Sequence, residues 1–333
     1  MEYWQVAAGD RGRDYSNLFF EYGIMCVGGE TQINTFKQVE EGDVVVLKRG
    51  ISKILGAGKI IKQDGTVCKE DEKWLGDFEG WDLRNYANVE WHQLEKPLPI
   101  SSGLTMGTIK RLHDTNLQKK ANEIIEKYPK IKFKQKPDLS DIYKLENEEI
   151  IDFLIEEGFR PGNAEELNNT FNRIRMLAKF YCEKCDWDQV KEHETRTFLI
   201  IPLLFALGWS EQKLKIELGI TNRRRVDIAG FSKPFFGSDD QNEFKNCKLI
   251  IESKGLSRGL DTAREQAIAY AETFPNCKKV IISNGFCYKA FQKEGDTFST
   301  TAIAYMNLLH PTNKHPLYLN SKGTKEIFKL LLP

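Results

Sequence analysis

From Cys247 to Gly285 the chain runs CKLIIESK, then TAREQAIAYAETF, then KKVIISNG. The outer stretches are short and apolar, as buried strands are, and the middle one has the length and pattern of a helix. A strand followed by a crossover helix and another strand returns the chain parallel to itself, so this segment predicts an α/β sheet with a parallel pair at its centre. The run RRRVDIAGF supplies a strand before it and CYKAFQK one after it. A long helix, HETRTFLIIPLLFALGW, precedes the sheet, and TKEIFKLLLP reads as a closing amphipathic helix.

The strand period of two places Glu252 and Lys254 on one face of KLIIESK, with Ile251 and Ser253 on the other. A carboxylate and an ammonium thus leave a buried strand side by side. Asp227 ends the preceding strand, and adjacent strands would bring it to Glu252. Two carboxylates a few ångströms apart repel unless a cation joins them, and hard oxygen ligands suit Mg²⁺ or Mn²⁺. Such an ion activates water and stabilises charge on a phosphate in flight. Lys254 then has two candidate tasks, holding the attacking water or neutralising the phosphate oxygen that gains charge. A lone ExK also describes a solvated salt bridge; here the company of Glu194, Asp227 and Gln266 distinguishes it. Glu194 has a second reading, as an acidic residue in the first turn of a helix, where the macrodipole favours it.

In their order, HETRTFLIIPLLFALGW, RRVDIAG, IIESKG and EQAIAYAETFPNCKKVIISNG resemble the PD-(D/E)XK nuclease core, in the version found at the amino end of type I restriction motor subunits and in related stand-alone restriction nucleases. The resemblance covers roughly residues 190 to 292. It implies that Asp227 and Glu252 are metal ligands, joined by the backbone carbonyl of Ser253, with Lys254 at the water. It also implies that Glu194 completes the acidic cluster and that Gln266 with Tyr270 forms the family's QxxxY helix motif. Two departures are a valine, Val226, before Asp227, and the insertion KPFFGSDDQNEFKN between the two carboxylates.

From Trp4 to Trp91 the pattern is short β-like runs punctuated by glycine, with DYSNLFFEYG the one helical stretch, and it predicts a small barrel-like module ending near KPLPISSG. WQVAAGDRGRDYSNLFFEYGIMCVGG, VEEGDVVVLKRG, KILGAGKI and GWDLRNYANVEWH resemble the EVE/PUA-like barrels that precede nucleases in modification-dependent restriction systems. The resemblance implies an aromatic-lined pocket for a modified base extruded from the duplex. Candidates for its walls are Trp74, Trp81, Asp82 and Tyr86, with Arg11 and Arg13 near the phosphates; each aromatic residue has core packing as its other reading. Trp4 and Trp91, on apolar strands, are expected in the core.

Residues 104–188 read as helices and connections. The expected architecture is a mixed α+β and α/β multidomain chain: an EVE/PUA-like β-barrel over 1–100, a helical connector over 101–188, and a PD-(D/E)XK α/β nuclease domain over 189–333. A chain of 333 residues exceeds what one core organises, which agrees with two modules.

Charge is balanced at 48 basic against 48 acidic side chains, so net charge gives no argument for nucleic acid. It is segregated instead: residues 1–100 carry 12 basic and 17 acidic side chains, whereas 106–136 carry 9 and 3. That basic stretch is either a solvated helix face or a DNA-backbone contact. No apolar run reaches the ~20 residues of a membrane span, and the charged amino terminus lacks a signal peptide's apolar stretch. Seven scattered cysteines fit reduced thiols, and Cys182–Cys185 lacks a second pair for zinc. The expectation is a cytoplasmic, Mg²⁺- or Mn²⁺-dependent DNA endonuclease acting in restriction, with no membrane partner, that binds double-stranded DNA carrying a modified base and self-associates as a homodimer to cut both strands. The alternatives are a catalytically silent DNA-binding or assembly module, and a repair or RNA nuclease.

Overall fold

The computed structural model describes residues 1–62, 65–69, 73–221, 224–237, 241–315 and 321–333. Arg223 of the predicted strand RRRVDIAGF, and 238–240 of the insertion that follows it, lie outside the described residues. The chain is mixed α and β, with two sheets, and divides into two compact units, Met1–Asp138 and Leu139–Pro333.

The first unit holds β1 (Tyr3–Ala7), α1 (Ser16–Tyr22), β2 (Ile24–Val27), α2 (Glu30–Phe36), β3 (Val44–Arg49), β4 (Lys53–Ile61), β5 (Cys68–Lys69), β6 (Asn85–Pro99), β7 (Ile109–Arg111) and α3 (Thr115–Lys127). Its sheet runs β2-β6-β4-β3-β1-β7, with β5 on β6, and curls as a half-barrel rather than closing. Gly56 and Gly58 let β4 bend against β6: a Cβ at either would stand 2.6 Å from a carbonyl oxygen of the facing strand. Trp4 and Trp91 are fully buried, and each indole N–H has a partner, the Asp43 carboxylate at 2.8 Å and the Ile24 carbonyl at 2.9 Å. Helix α2 was not foreseen beside α1, because only Phe36 of its seven residues is buried and the apolar stripe is missing.

Residues 101–188 do not form one connector. Helix α3, capped by the Asp114 carboxylate on the N–H groups of Asn116 and Leu117, buries Leu117, Ala121 and Ile124 in the first unit. Helices α4 (Asn147–Glu156) and α5 (Pro161–Lys184) place Ile150, Leu154, Leu167 and Phe171 in the core of the second. Each amphipathic helix joined the nearest apolar face, so the division falls after Asp138 rather than at 100 and 188.

The second unit continues with α6 (Glu192–Glu194), a wide π turn over Thr195–Ile200, α7 (Ile201–Ala206), β8 (Leu214–Thr221), β9 (Arg224–Phe231), α8 (Gln241–Phe244), β10 (Cys247–Ser253), α9 (Arg264–Ala271), β11 (Lys279–Ser283), β12 (Cys287–Glu294), β13 (Thr297–Phe298), β14 (Ala304–Asn307) and α10 (Thr324–Leu331). The sheet order is β13-β12-β11-β10-β9-β8, with β14 on β12. β10 and β11 are the expected parallel pair, linked through α9, and every other pairing in this sheet is antiparallel. Strand β8 went unread although Leu214, Ile216, Leu218 and Ile220 alternate at the strand period. Among the described residues no helix is long and apolar enough to cross a membrane.

Candidate active site

Strand β10 is apolar from Leu249 to Ile251 because both of its faces are covered, and its carboxyl end is where polar side chains can emerge. Ile251 pairs with Ile228 of β9 in the antiparallel register, so the next step of the ladder sets Glu252 opposite Asp227. One oxygen of Asp227 accepts the Ser253 N–H at 2.7 Å and the Ser253 hydroxyl at 2.9 Å; the other accepts from the Arg196 guanidinium at 3.2 Å. Glu252 is 2% exposed, and the Lys254 ammonium lies 2.5 Å from one of its oxygens.

Lys254 is held by its backbone on two sides. Its N–H donates to the Ser283 carbonyl at the end of β11 (2.8 Å), and its carbonyl lies 2.8 Å from the Thr195 hydroxyl, which also reaches the Glu192 carbonyl at 2.8 Å. The ends of β10 and β11 and the turn at Thr195 therefore fix where the ammonium starts.

Burial, and then the Asp227 charge, push the Glu252 carboxyl up to about 7, against the pull of Lys254. Glu192 is raised for the same reasons in the same order, burial first and Asp227 second, with Lys254 and Arg196 opposing. Three carboxylates and two cations share the site, and the two cations leave Glu252 and Glu192 still short of compensation. That residual negative charge in an all-oxygen donor set is what a hard divalent cation relieves, so the residues fit Mg²⁺ or Mn²⁺. Among the described residues no group of three or more His, Cys, Asp or Glu side chains is spaced to hold a metal alone. Mg²⁺ needs no such cage, because it commonly keeps several waters and takes one or two carboxylates.

The acidic member contributed by the helix is Glu192 rather than Glu194. Glu194 turns back on its own helix, where its carboxylate accepts the Lys191 N–H at 2.9 Å. Glu192 and Arg196 are four residues apart and share a helix face, and both reach Asp227. Arg196, 6% exposed, also contacts Glu217 of β8 at 3.3 Å, an arrangement invisible without that strand. Gln266 is exposed on α9 and gives its amide hydrogen to the Tyr270 hydroxyl at 2.9 Å, one turn along. No hydrogen bond among the described residues ties Gln266 to the carboxylates.

The residues expected to cage a base are dispersed within the first unit. Tyr86 and Trp74 are core side chains, Tyr86 with Lys136 on its hydroxyl at 2.6 Å and Trp74 against the Tyr22 ring. Asp82 is exposed and chelates Arg84. Arg11 lies at the surface beside Asp10. Arg13 does not reach outward to phosphate: it is buried, donates to the Glu79 carbonyl at 2.8 Å, and lies 4.2 Å over the half-buried Trp81 ring. Trp81 lines a pocket with Asp10 and Tyr15 of about 20 Å³, room for roughly one water. Of the basic stretch, Lys130, Lys134 and Lys136 are engaged locally by Glu90, Glu21 and Tyr86, which favours a solvated face there. All seven cysteines are free of disulfides, and burial pushes the Cys182 thiol up to about 12.

Comparison of the chain with family models and with curated proteins finds no match to either.

Proposed function

We propose that the second unit is a divalent-metal-dependent DNA endonuclease of the PD-(D/E)XK kind, and that the first is an EVE/PUA-like reader directing it to DNA with a modified base, as in restriction of foreign DNA. The observation that carries the reading is Asp227 opposite Glu252, with Lys254 on Glu252, at the carboxyl end of a central strand. A bound Mg²⁺ or Mn²⁺ would supply a more acidic water and neutralise phosphate charge. Asp227 and Glu252 would hold it, Asp227 fixed in orientation by Ser253 and Arg196. Lys254 would orient the attacking water or meet the phosphate oxygen that gains charge. Glu192 adds a carboxylate, raised toward neutrality, that can take a proton from that water.

Support for base reading rests on Trp81, whose half-buried ring lines a pocket beneath the first loop. The pocket as it stands has no room for a base, so reading requires it to widen. One active site per chain cuts one strand, so double-strand cleavage calls for a homodimer on DNA or successive nicks.

A second reading, a catalytically silent DNA-binding or assembly module, draws on the ion pairs Lys254–Glu252 and Arg196–Asp227, which give each carboxylate a cationic partner without a metal. The test incubates the chain with Mg²⁺ and matched plasmids, one with methylated or hydroxymethylated cytosine and one bare, with a chelator control. Chelator-sensitive cleavage of the modified plasmid is expected. Cleavage of both alike refutes the reader, and cleavage of neither, with no Mg²⁺-dependent change in melting temperature, favours the silent module.

A further inference from the structure

Within the second unit lies a pocket of about 150 Å³, walled by Asp261, Arg264, Lys289, Phe291 and the stretch Thr300–Ala302. None of its walls belongs to the acidic cluster. Lys289 and Phe291 come from one face of β12, two residues apart; Arg264 opens α9; the threonines follow β13. Lys289 is 4% exposed, with its ammonium 2.6 Å from an Asp261 oxygen, so those two charges balance each other. The Arg264 charge is left over. Its guanidinium lies 5.5 Å over the Phe291 ring and donates one N–H to the Ser299 carbonyl at 2.8 Å, while its Nε is buried with no hydrogen-bond partner among the described residues.

That Nε–H is closed off from solvent, so a guest would meet the remaining guanidinium N–H groups, which have no acceptor among the described residues. With Lys289 paired to Asp261, the wall carries one surplus positive charge, from Arg264, beside the apolar Phe291 and Ala302, and that surplus disfavours a cation. Thr300 and Thr301 add exposed hydroxyls to the rim. The volume is that of a guest about the size of benzene, ample for a tetrahedral oxyanion. Guanidinium groups pair with phosphate through charge-assisted N–H donors, and this one is held in place by the Phe291 ring and the Ser299 carbonyl. We propose that this pocket binds a phosphate group, through Arg264 with Lys289 behind it and the Thr300 and Thr301 hydroxyls at its mouth. The phosphate is either a small free ligand or one carried by a nucleic-acid chain, and the inference stands independently of the nuclease reading.

The experiment titrates inorganic phosphate into the full chain without divalent cations, at constant ionic strength made up with chloride, and follows melting temperature and heat of binding. A saturable rise with phosphate beyond that with chloride is expected. Arg264→Gln should weaken binding about tenfold or more, the loss of a charge-assisted hydrogen bond. Thr301→Glu, on an exposed residue, should do the same while keeping the parent's circular dichroism and its melting temperature in chloride. A parallel titration with a short duplex in chelator separates the sources: duplex affinity unchanged in the variants assigns a free phosphate, and duplex affinity falling with phosphate affinity assigns the nucleic-acid chain. A phosphate response no larger than that to chloride, or equal in parent and Thr301→Glu, overturns the proposal.

Discussion

Ser253 gives both its backbone N–H and its hydroxyl to a single oxygen of Asp227, at 2.7 and 2.9 Å. The residue between the two charged positions of the ExK run thus aims the carboxylate on the neighbouring strand. Ser253→Ala keeps the N–H and removes the hydroxyl. It should cost about 1 kcal/mol of stability, measured by urea unfolding, and lower cleavage without abolishing it.

The raised Glu252 carboxyl makes stability depend on pH in a defined direction. A glutamate titrates at 4.5 in the reference state and at about 7 here. Between those values the folded chain holds a proton that the unfolded chain has released, so the group's contribution is complete below about pH 4.5 and is lost as pH rises through 7. The loss is on the order of 3 kcal/mol. Glu252→Gln should flatten this part of the profile and melt above the parent at pH 8. Mg²⁺, which favours the ionised form, should raise the parent's melting temperature more at pH 8 than at pH 5.5. Differential scanning calorimetry at the two pH values reads both effects.

Variants of Glu192 and Glu194 tell the proposed catalytic role apart from helix capping. Glu194→Gln should retain most activity, because its carboxylate serves the Lys191 N–H, and should lose at most about 1 kcal/mol of stability. Glu192→Gln should reduce cleavage by ~10²-fold or more if it acts on the water's proton, with folding intact. Single-turnover rates of the two variants, measured beside their unfolding midpoints, distinguish the roles.

The sheet around β10 was legible because its signals are local: apolar runs of strand length, a helix between them, and charges at one strand end. Asp227 and Glu252 followed from that pattern, since adjacent strands need no further information to bring them opposite. The sequence points to Glu194 while Glu192 is the one that reaches Asp227, because two glutamates two residues apart look alike until the helix is phased, and phasing needs Arg196 as the marker of the inward face. Arg196 itself went unread along with β8. Trp74, Tyr86 and Arg13 show a different limit: aromatic residues and an arginine between glycines spell a binding loop or a core equally well, and burial decides only when the fold is built. The same holds for the connector, whose helices carry no mark of which core they will join.

The burial of Arg13 gives a test of its own. Its side chain is 0% exposed and that of Glu79 3%, so Arg13→Ala would leave a buried carboxylate without that cation. The expected loss is about 3–5 kcal/mol, read from the denaturant midpoint. A residue that met phosphate from the surface would instead lower the salt dependence of DNA binding and leave the midpoint in place.

The most direct measurement is cleavage of an end-labelled modified duplex in Mg²⁺ by the parent chain, Asp227→Ala and Lys254→Ala, each first shown to unfold cooperatively. The parent should cut, a chelator should stop it, and both variants should be slower by ~10³-fold or more, as expected for groups that hold the metal and meet the reacting phosphate. Cleavage by Asp227→Ala at the parent's rate, or by the parent in chelator, would contradict the account.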